Sequence, residues 1–114
     1  MAIAEHASGT QTATINTEHT LNGTTPETTD GIYQFFVDLD AMVLGDILEL
    51  RIKEKAISGG TQRTGLTAIL AHDPSTDSNL WVSPSLILLH GWDFTLKQTA
   101  GTGRAFPWSI RKVS

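Results

Sequence analysis

The C-terminal stretch of the chain carries the pattern that most constrains its fold. Large apolar side chains alternate with polar ones over Trp92–Leu96 and again over Phe106–Ile110. A period of two is typical of a strand with one buried face, because successive side chains leave a strand on opposite sides. Gly101 lies between the two runs, and glycine accepts the positive φ that a short loop needs. We therefore predict a β-hairpin over residues 92–112.

Folding this hairpin about Gly101 gives one register that places every large apolar side chain on the same face. A shift by one residue would turn them all to solvent, so the predicted register is strongly specified. Pro107 lacks a backbone N–H, which predicts a sheet edge or a bulge at that point. The predicted cross-strand pairs are Leu96 with Phe106, Phe94 with Trp108 and Trp92 with Ile110.

Further strands are predicted along the middle of the chain. Apolar residues on both faces of Ile32–Leu39 indicate a central strand. Asp40–Gly45 is interpreted as one helical turn, capped by an aspartate and a glycine. The other predicted strands are Asp46–Lys55 with Leu48, Leu50 and Ile52 inward, Thr64–Ala71 with Leu66, Ala68 and Leu70 inward, and the short Leu80–Val82 and Leu86–Leu89, separated by Pro84.

The N-terminal segment has a different composition. Nine threonines fall between Thr10 and Thr29, with few large apolar residues among them. Threonine favours strands, and residues 12–21 alternate weakly, so we interpret them as a strand that needs a partner. Residues 1–11 are interpreted as a flexible N-terminal arm, the alternative being a frayed terminus with no role.

About seven short strands separated by turn signals, without a long helical pattern, favour an all-β fold. We predict an antiparallel β-sandwich or jelly roll. The length of 114 residues suits one hydrophobic core. The predicted organisation is therefore the arm followed by a single β-sandwich domain over residues 12–114.

Composition excludes several classes of function. The formal net charge of −4, without a basic cluster, argues against nucleic-acid binding. The chain has no cysteine, so disulfides, thiolate zinc sites and thiol nucleophiles are excluded. The N-terminus does not resemble a signal peptide, and no apolar run approaches the roughly 20 residues that span a bilayer. We expect synthesis and folding in the cytoplasm and no membrane partner.

No motif indicates an active site. The four histidines have no metal-ligand spacing. Alternate residues from Asp73 to Asn79 have the spacing of a calcium loop, but they lack its glycine and its final glutamate, and turn-forming residues explain them equally well. Asp38 and Asp40 would share a strand face, although the second is more simply a helix cap. We predict a protein that is not an enzyme and holds no metal or cofactor.

With these residues in view, the chain resembles the small β-rich structural proteins of tailed bacteriophages. The resemblance rests on Asp30–Leu39, Gly45–Lys55 and Phe94–Lys112 and covers most of residues 12–114. It implies a virion component, namely a decoration or cement protein that stabilises the outer surface of the capsid. Such proteins are often trimers, so it also implies the major capsid protein and further copies of the chain as partners.

The candidate contacts follow from the N-terminal segment and one tryptophan. A threonine-rich strand can add to an exposed sheet edge of a neighbour, where main-chain hydrogen bonds supply the affinity. Trp81 follows a loop, so it either packs in the core or is exposed as an anchor for a partner. The candidate capsid or subunit contacts are Ile3, Thr12, Thr14, Ile15 and Trp81.

Two alternatives stay open on the sequence. The first is a different position on the virion, in the tail, the neck or a head fibre. The second is a carbohydrate-binding β-sandwich that aids adsorption to the host through an exposed Trp81 or Tyr33.

Overall fold

The computed structural model describes residues 2–23, 26–71 and 79–113 and contains two antiparallel sheets. This confirms the predicted all-β antiparallel sandwich. The strands of the described residues are β1 (Ile3–Thr12), β2 (His19–Thr20), β3 (Gly31–Asp38), β4 (Ile47–Glu54), β5 (Arg63–Ala71), β6 (Leu80–Val82), β7 (Leu86–Leu88), β8 (Asp93–Ala100) and β9 (Ala105–Val113).

Each sheet draws strands from both halves of the chain. Sheet 1 has the order β1-β9-β3-β6, and β7 pairs with β3 beside β6. Sheet 2 has the order β2-β8-β4-β5. β3 therefore lies inside sheet 1, which confirms its prediction as a central strand.

The core lies between the sheets and follows the predicted alternation. Leu48, Leu50 and Ile52 of β4 are buried, and the intervening residues are partly exposed. A fully buried side chain of this kind contributes about 1.5–3 kcal/mol through the hydrophobic effect. The other residues without exposed surface include Tyr33, Phe35, Val37, Trp92, Phe94, Leu96, Phe106 and Ile110.

The predicted C-terminal hairpin is wrong in its pairing. β8 pairs with β4 and β2 in sheet 2, whereas β9 pairs with β1 and β3 in sheet 1. The connection over residues 101–104 therefore crosses from one sheet to the other. The apolar faces of the two strands are both buried, as predicted, but they belong to opposite layers of the core.

Buried polar groups hold this connection in place. The Gln98 side chain donates from Nε2 to the carbonyl oxygens of Ala100 (3.0 Å) and Thr102 (2.8 Å). Its Oε1 accepts from the N–H of Arg104 at 3.1 Å. A buried amide is destabilising unless it is hydrogen-bonded, so these three bonds hold Gln98 and the connection together. A tight hairpin turn would not need a buried side chain to stabilise it.

The prediction of a flexible arm over residues 1–11 is also wrong. Residues 3–11 belong to β1, which pairs with β9 from Ile3–Val113 to Thr12–Ala105 with a bulge near His6. The predicted strand over residues 12–21 is reduced to His19–Thr20, because the chain turns at Asn16, where φ is +62°. Backbone pairing with β9 orders the N-terminus despite its weak apolar pattern.

The remaining local predictions have mixed outcomes. Asp40–Gly45 forms two turns and not a helical turn: the N–H of Met42 bonds Leu39 and the N–H of Asp46 bonds Val43. The predicted edge position of Pro107 is wrong, because β9 lies between β1 and β3. The proline is accommodated since pairing with β3 ends at Trp108, which leaves Pro107 paired with β1 alone. The calcium-like loop lies outside the described residues, except for Asn79.

Candidate functional site: the outer face of sheet 1

A row of aliphatic side chains crosses the outer face of sheet 1. The strand register places Ile3 opposite Val113, Val113 opposite Ile32, and Ile32 opposite Ile87. The row therefore runs over four neighbouring strands. Ile3 is 69% exposed and Ile87 is 82% exposed, so these side chains face solvent in the isolated chain.

A second group of outward side chains extends this surface along the strands. Phe36 lies opposite Val82, and Leu80 lies two pairs further on, opposite Asp38. Val82 and Leu80 are both exposed, whereas Trp81 between them turns inward. We call the combined set the apolar face; its members are Ile3, Ile32, Phe36, Leu80, Val82, Ile87 and Val113.

A stacked pair lies in the middle of the apolar face. The guanidinium carbon of Arg111 lies 3.7 Å from the ring centroid of Phe36, which is a cation–π contact. Glu5 and Gln34 flank Arg111 in the register of the neighbouring strands. The face thus combines an apolar surface with a few charged and polar groups near its centre, as protein-binding surfaces do.

Two shallow concavities lie on either side of this stack. One, of about 220 Å³, is bounded by Phe36, Arg111, Asp38 and Leu80 among others. The other, of about 180 Å³, is bounded by Phe36, Arg111, Ile3 and Ile32 among others. Small-molecule sites usually occupy about 300–1,000 Å³, so these concavities are better suited to single side chains of a protein partner.

The outer face of sheet 2 has a different character. Lys53 on β4 contacts Glu18 at 2.8 Å, and Thr95 Oγ1 on β8 donates to the same carboxylate at 3.1 Å. Partial burial opposes ionisation of Glu18, yet Lys53 and Thr95 hold the pKa of its carboxyl below the usual value. Lys53 and Arg51 of this face thus have acidic partners within the chain, so the apolar face is the stronger candidate for a binding surface.

The candidate contacts predicted from the sequence do not come together. Ile3 lies on the apolar face, and Thr12 is exposed at the far end of the same strand. Thr14 is exposed in the β1–β2 connection, where its N–H donates to His19 Nε2 at 3.1 Å. Ile15 is half-buried in the same connection. Only Ile3 contributes to the surface described above.

The two aromatic residues considered for sugar binding are turned inward. Trp81 packs against the core, and its ring is stacked on Phe94 with centroids 6.4 Å apart. Tyr33 has no exposed surface, and its hydroxyl donates to the carbonyl of Thr29 at 2.6 Å. Tyr33 is therefore unavailable to a sugar, and Trp81 offers at most a part of its ring.

Sequence reasoning missed most of the apolar face, although two signals were present. Ile32 and Phe36 make both faces of β3 apolar, which was interpreted only as the mark of a central strand. Leu80 and Val82 flank Trp81, so one face of β6 had to carry apolar residues outward. An excess of apolar residues on the second face of a strand indicates a binding surface when no further layer covers it.

Other candidate chemistry receives little support from the described residues. Among them no group of three or more metal-ligating side chains is close enough to hold an ion. Asp38 does not pair with Asp40 for acid–base chemistry: its Oδ1 accepts the N–H of Asp40 at 2.9 Å, as in an aspartate-capped turn. In residues 2–23, 26–71 and 79–113 there is no helix with the length and apolar character to span a membrane.

Fold and face together define an antiparallel β-sandwich with one apolar outer sheet face. Comparison with protein-family models, with curated proteins and with solved structures gives no match to this chain.

Proposed function

We propose that this protein is a non-enzymatic structural component of a tailed-bacteriophage particle. In this proposal it is a decoration or cement protein that lies on the outer surface of the head and binds the major capsid protein. The observation that carries the proposal is the aliphatic row from Ile3 to Ile87 across sheet 1. The resemblance of Asp30–Leu39, Gly45–Lys55 and Phe94–Lys112 to phage structural proteins supplies the class of particle.

The physical argument starts from the cost of exposing such a face. Soluble monomers rarely present contiguous apolar patches of more than a few hundred Å², and larger patches mark surfaces that bind a partner. Four strand positions of sheet 1, spaced by about 4.8 Å and about 30 Å long, give a whole sheet face of roughly 600 Å², of which the seven apolar side chains cover a part. This is somewhat below the roughly 800 Å² that each partner contributes to a standard interface.

Multiple copies on one particle would compensate for a small interface. The outer surface of a capsid repeats the same binding site many times, and copies that also contact one another there would be held by avidity despite weak single contacts. A flat sheet face also suits a broad protein surface better than it suits a small substrate. Arg111 and Glu5 near its centre would fix the orientation of the bound chain.

The test uses heads assembled from the major capsid protein of the genome that encodes this chain. Heads lacking the protein are mixed with the purified chain and sedimented, and bound protein is measured against free protein. Ile87→Asp should weaken binding at least about tenfold, because it places a charge in the apolar interface. The matched control is Ile57→Asp, since Ile57 is 67% exposed in the β4–β5 connection and lies off the apolar face.

Binding that is unchanged by Ile87→Asp, or equally weakened by Ile57→Asp, would contradict the proposed interface. No binding of the unaltered chain to heads would reject the capsid assignment. Labelling of intact particles then separates the head from the alternatives in the tail, the neck or a head fibre.

A further inference from the structure

The edges of the two sheets differ in how they are protected against pairing with another chain. An edge strand presents unpaired N–H and C=O groups, and proteins commonly protect it by shortness, charge, proline or a bulge. β2 has only two residues, and β6 and β7 have three each and are separated by Pro84. β1 carries Glu5 and a bulge beside it. These edges are protected in recognised ways.

The nine-residue edge strand of sheet 2 carries its charge and its bulge only at its first residues, so the rest of that strand lacks this protection. β5 runs over Arg63–Ala71, pairs with β4 on one side, and has no strand of the described residues on the other. Its only charged residue is Arg63 at one end, and a single bulge lies beside Gly65. Ile69 on its outward face is 69% exposed. The part of β5 beyond Gly65 is uncharged, and such an edge favours the addition of a further strand.

We propose that β5 pairs with β5 of a second copy of this chain, antiparallel and centred on Thr67, to form a continuous eight-stranded sheet across a twofold axis. Side chains of directly opposed residues lie on the same face of a sheet. A twofold axis perpendicular to the sheet therefore pairs one residue with its own copy and passes midway between the two. In this register residues 65–69 of the two copies pair regularly, and the bulge at Gly65 ends the regular pairing at each end.

The strand is complementary to itself in this register. On the outer face the exposed Ile69 lies opposite Gly65 of the partner, whose missing side chain leaves room for it. Thr67 lies opposite its own copy, and paired threonines are a favourable cross-strand combination. The two Arg63 residues lie beyond the bulges, at opposite ends of the paired segment, so no like charges are brought together.

The inward side of the same edge also favours an apolar partner. A concavity of about 240 Å³ opens there between β5 and β7, bounded by Leu66, Leu86 and Leu88 with other residues. Leu66 is only half-buried in the single chain. The inward residues of the partner's strand, Leu66 and Ala68, would extend the apolar layer over this opening.

The pairing gives a closed dimer, because a twofold interface uses the same surface on both subunits. It therefore differs from the trimer that the phage resemblance implies. It is also independent of the proposed capsid binding, since β5 lies in sheet 2 and the apolar face in sheet 1.

The test measures the mass of the purified full chain by sedimentation equilibrium over a dilution series. The unaltered chain should reach twice its 12.3 kDa at high concentration. Thr67→Glu should raise the dissociation constant of the dimer at least about tenfold, because two carboxylates then face each other at the axis. Within one subunit the new carboxylate lies opposite Arg51 of β4, so the fold tolerates it.

A pair of oppositely charged variants at Thr67 provides the decisive test. Thr67→Lys alone should weaken the dimer as Thr67→Glu does, and an equimolar mixture of the two variants should restore dimers as opposite charges meet at the axis. Because the lysine also lies opposite Arg51 of its own chain, circular dichroism must show that this variant is folded. The control is Thr20→Glu, an exposed threonine of β2 at the other edge of sheet 2, which should leave dimerisation unchanged. A chain that stays monomeric or forms trimers would overturn the proposal, as would variants that dimerise normally or a mixture that stays monomeric.

Discussion

Arg104 donates from Nε to Oδ2 of Asp46 at 3.0 Å and thereby joins the β8–β9 crossing to the residue that precedes β4. The Asp46 side chain is 1% exposed and also accepts the N–H of Val43 at 3.0 Å. A buried carboxylate needs such partners, because an unpaired charge in the interior is very costly. This ion pair therefore fixes the point at which the chain passes from sheet 2 to sheet 1.

Replacing Asp46 by asparagine should lower the free energy of unfolding by about 1–3 kcal/mol, since it removes the charge from buried hydrogen bonds. The effect should depend on pH. Burial by itself raises the pKa of Asp46, but the hydrogen bonds from Val43 and Arg104 outweigh it and lower the pKa below the usual value. The unfolded chain then binds the proton more tightly than the folded chain does.

The stabilisation by the Asp46 carboxylate is consequently present above its unfolded pKa of about 3.9 and is lost as the pH falls through the lower folded pKa. Urea unfolding of the unaltered chain and of Asp46→Asn at neutral and acidic pH measures this. The difference in stability between the two should shrink on acidification. A difference that stays constant would mean that Asp46 is not ionised in the folded chain.

Gly101→Ala should destabilise the same region for a steric reason. Gly101 has φ of +90°, and a Cβ placed on it would lie 1.9 Å from Oδ1 of Asp46. Gly45 is a matched control, because its φ is +99° and a Cβ there would meet nothing within 4 Å. Both alanine variants carry the cost of positive φ, and Gly101→Ala should cost about 1–3 kcal/mol more through the clash. Equal urea midpoints for the two variants would show that Asp46 is not packed against Gly101.

The sequence could predict the strands because alternation is a local property. Leu48, Leu50 and Ile52 are buried as their spacing indicates, and the same holds for the inward residues of β8 and β9. It could not predict which strands pair. A hairpin and a crossing between sheets both bury Phe94 and Phe106 on one side of their strands, so the pattern fits either arrangement.

The N-terminus shows a second limit of local reasoning. The inward positions of β1 hold small residues such as Ala7 and Gly9, and Gly9 lies against the ring of Trp108. Small residues produce no alternating pattern of large apolar side chains, so the strand could not be recognised from hydrophobic periodicity. They are needed here because the ring of Trp108 lies close to the backbone of β1. The ordering of β1 comes from hydrogen bonds to β9, which no local pattern contains. The apolar face was missed for a related reason, since exposure depends on whether another layer covers a strand.

Tyr33 is the only tyrosine of the chain, so its titration can be followed without ambiguity. Burial, together with the nearby carboxylates of Glu27 and Asp30, raises its pKa to about 12. The near-ultraviolet absorbance of tyrosinate should therefore rise near pH 12 in the folded chain and near pH 10 in denaturant, where the ordinary pKa of about 10 applies. A folded-state midpoint near pH 10 would mean that the hydroxyl is open to solvent.

The same shift predicts a loss of stability at alkaline pH. The folded pKa of Tyr33 is higher than the unfolded pKa. The stabilisation of the fold by the protonated Tyr33 hydroxyl is therefore complete below pH about 10 and is lost as the pH rises towards about 12. Tyr33→Phe removes the titrating group, and it should show a smaller loss of stability over this range. An identical loss in both chains would assign the alkaline effect to other groups.

Deleting residues 1–11 distinguishes an ordered β1 from a flexible arm. The deletion removes nearly all the pairing on one edge of β9 and the contact of His6 with Glu27, whose Nε2 and Oε2 lie 3.6 Å apart. We expect the shortened chain to fold with a free energy of unfolding lower by about 2–4 kcal/mol, a large share of the roughly 5–15 kcal/mol of a typical domain. The newly exposed edge of β9 should also promote aggregation, which light scattering during thermal unfolding would detect.

A shorter deletion supplies the control for this experiment. Removing only residues 1 and 2 leaves β1 complete from Ile3 onward, so the thermal midpoint should stay within a few degrees of that of the full chain. A flexible arm would predict equal midpoints for both deletions, because unpaired residues contribute little to the stability of a domain. The difference between the two midpoints therefore measures how strongly β1 is held in sheet 1, and its absence would contradict the pairing with β9.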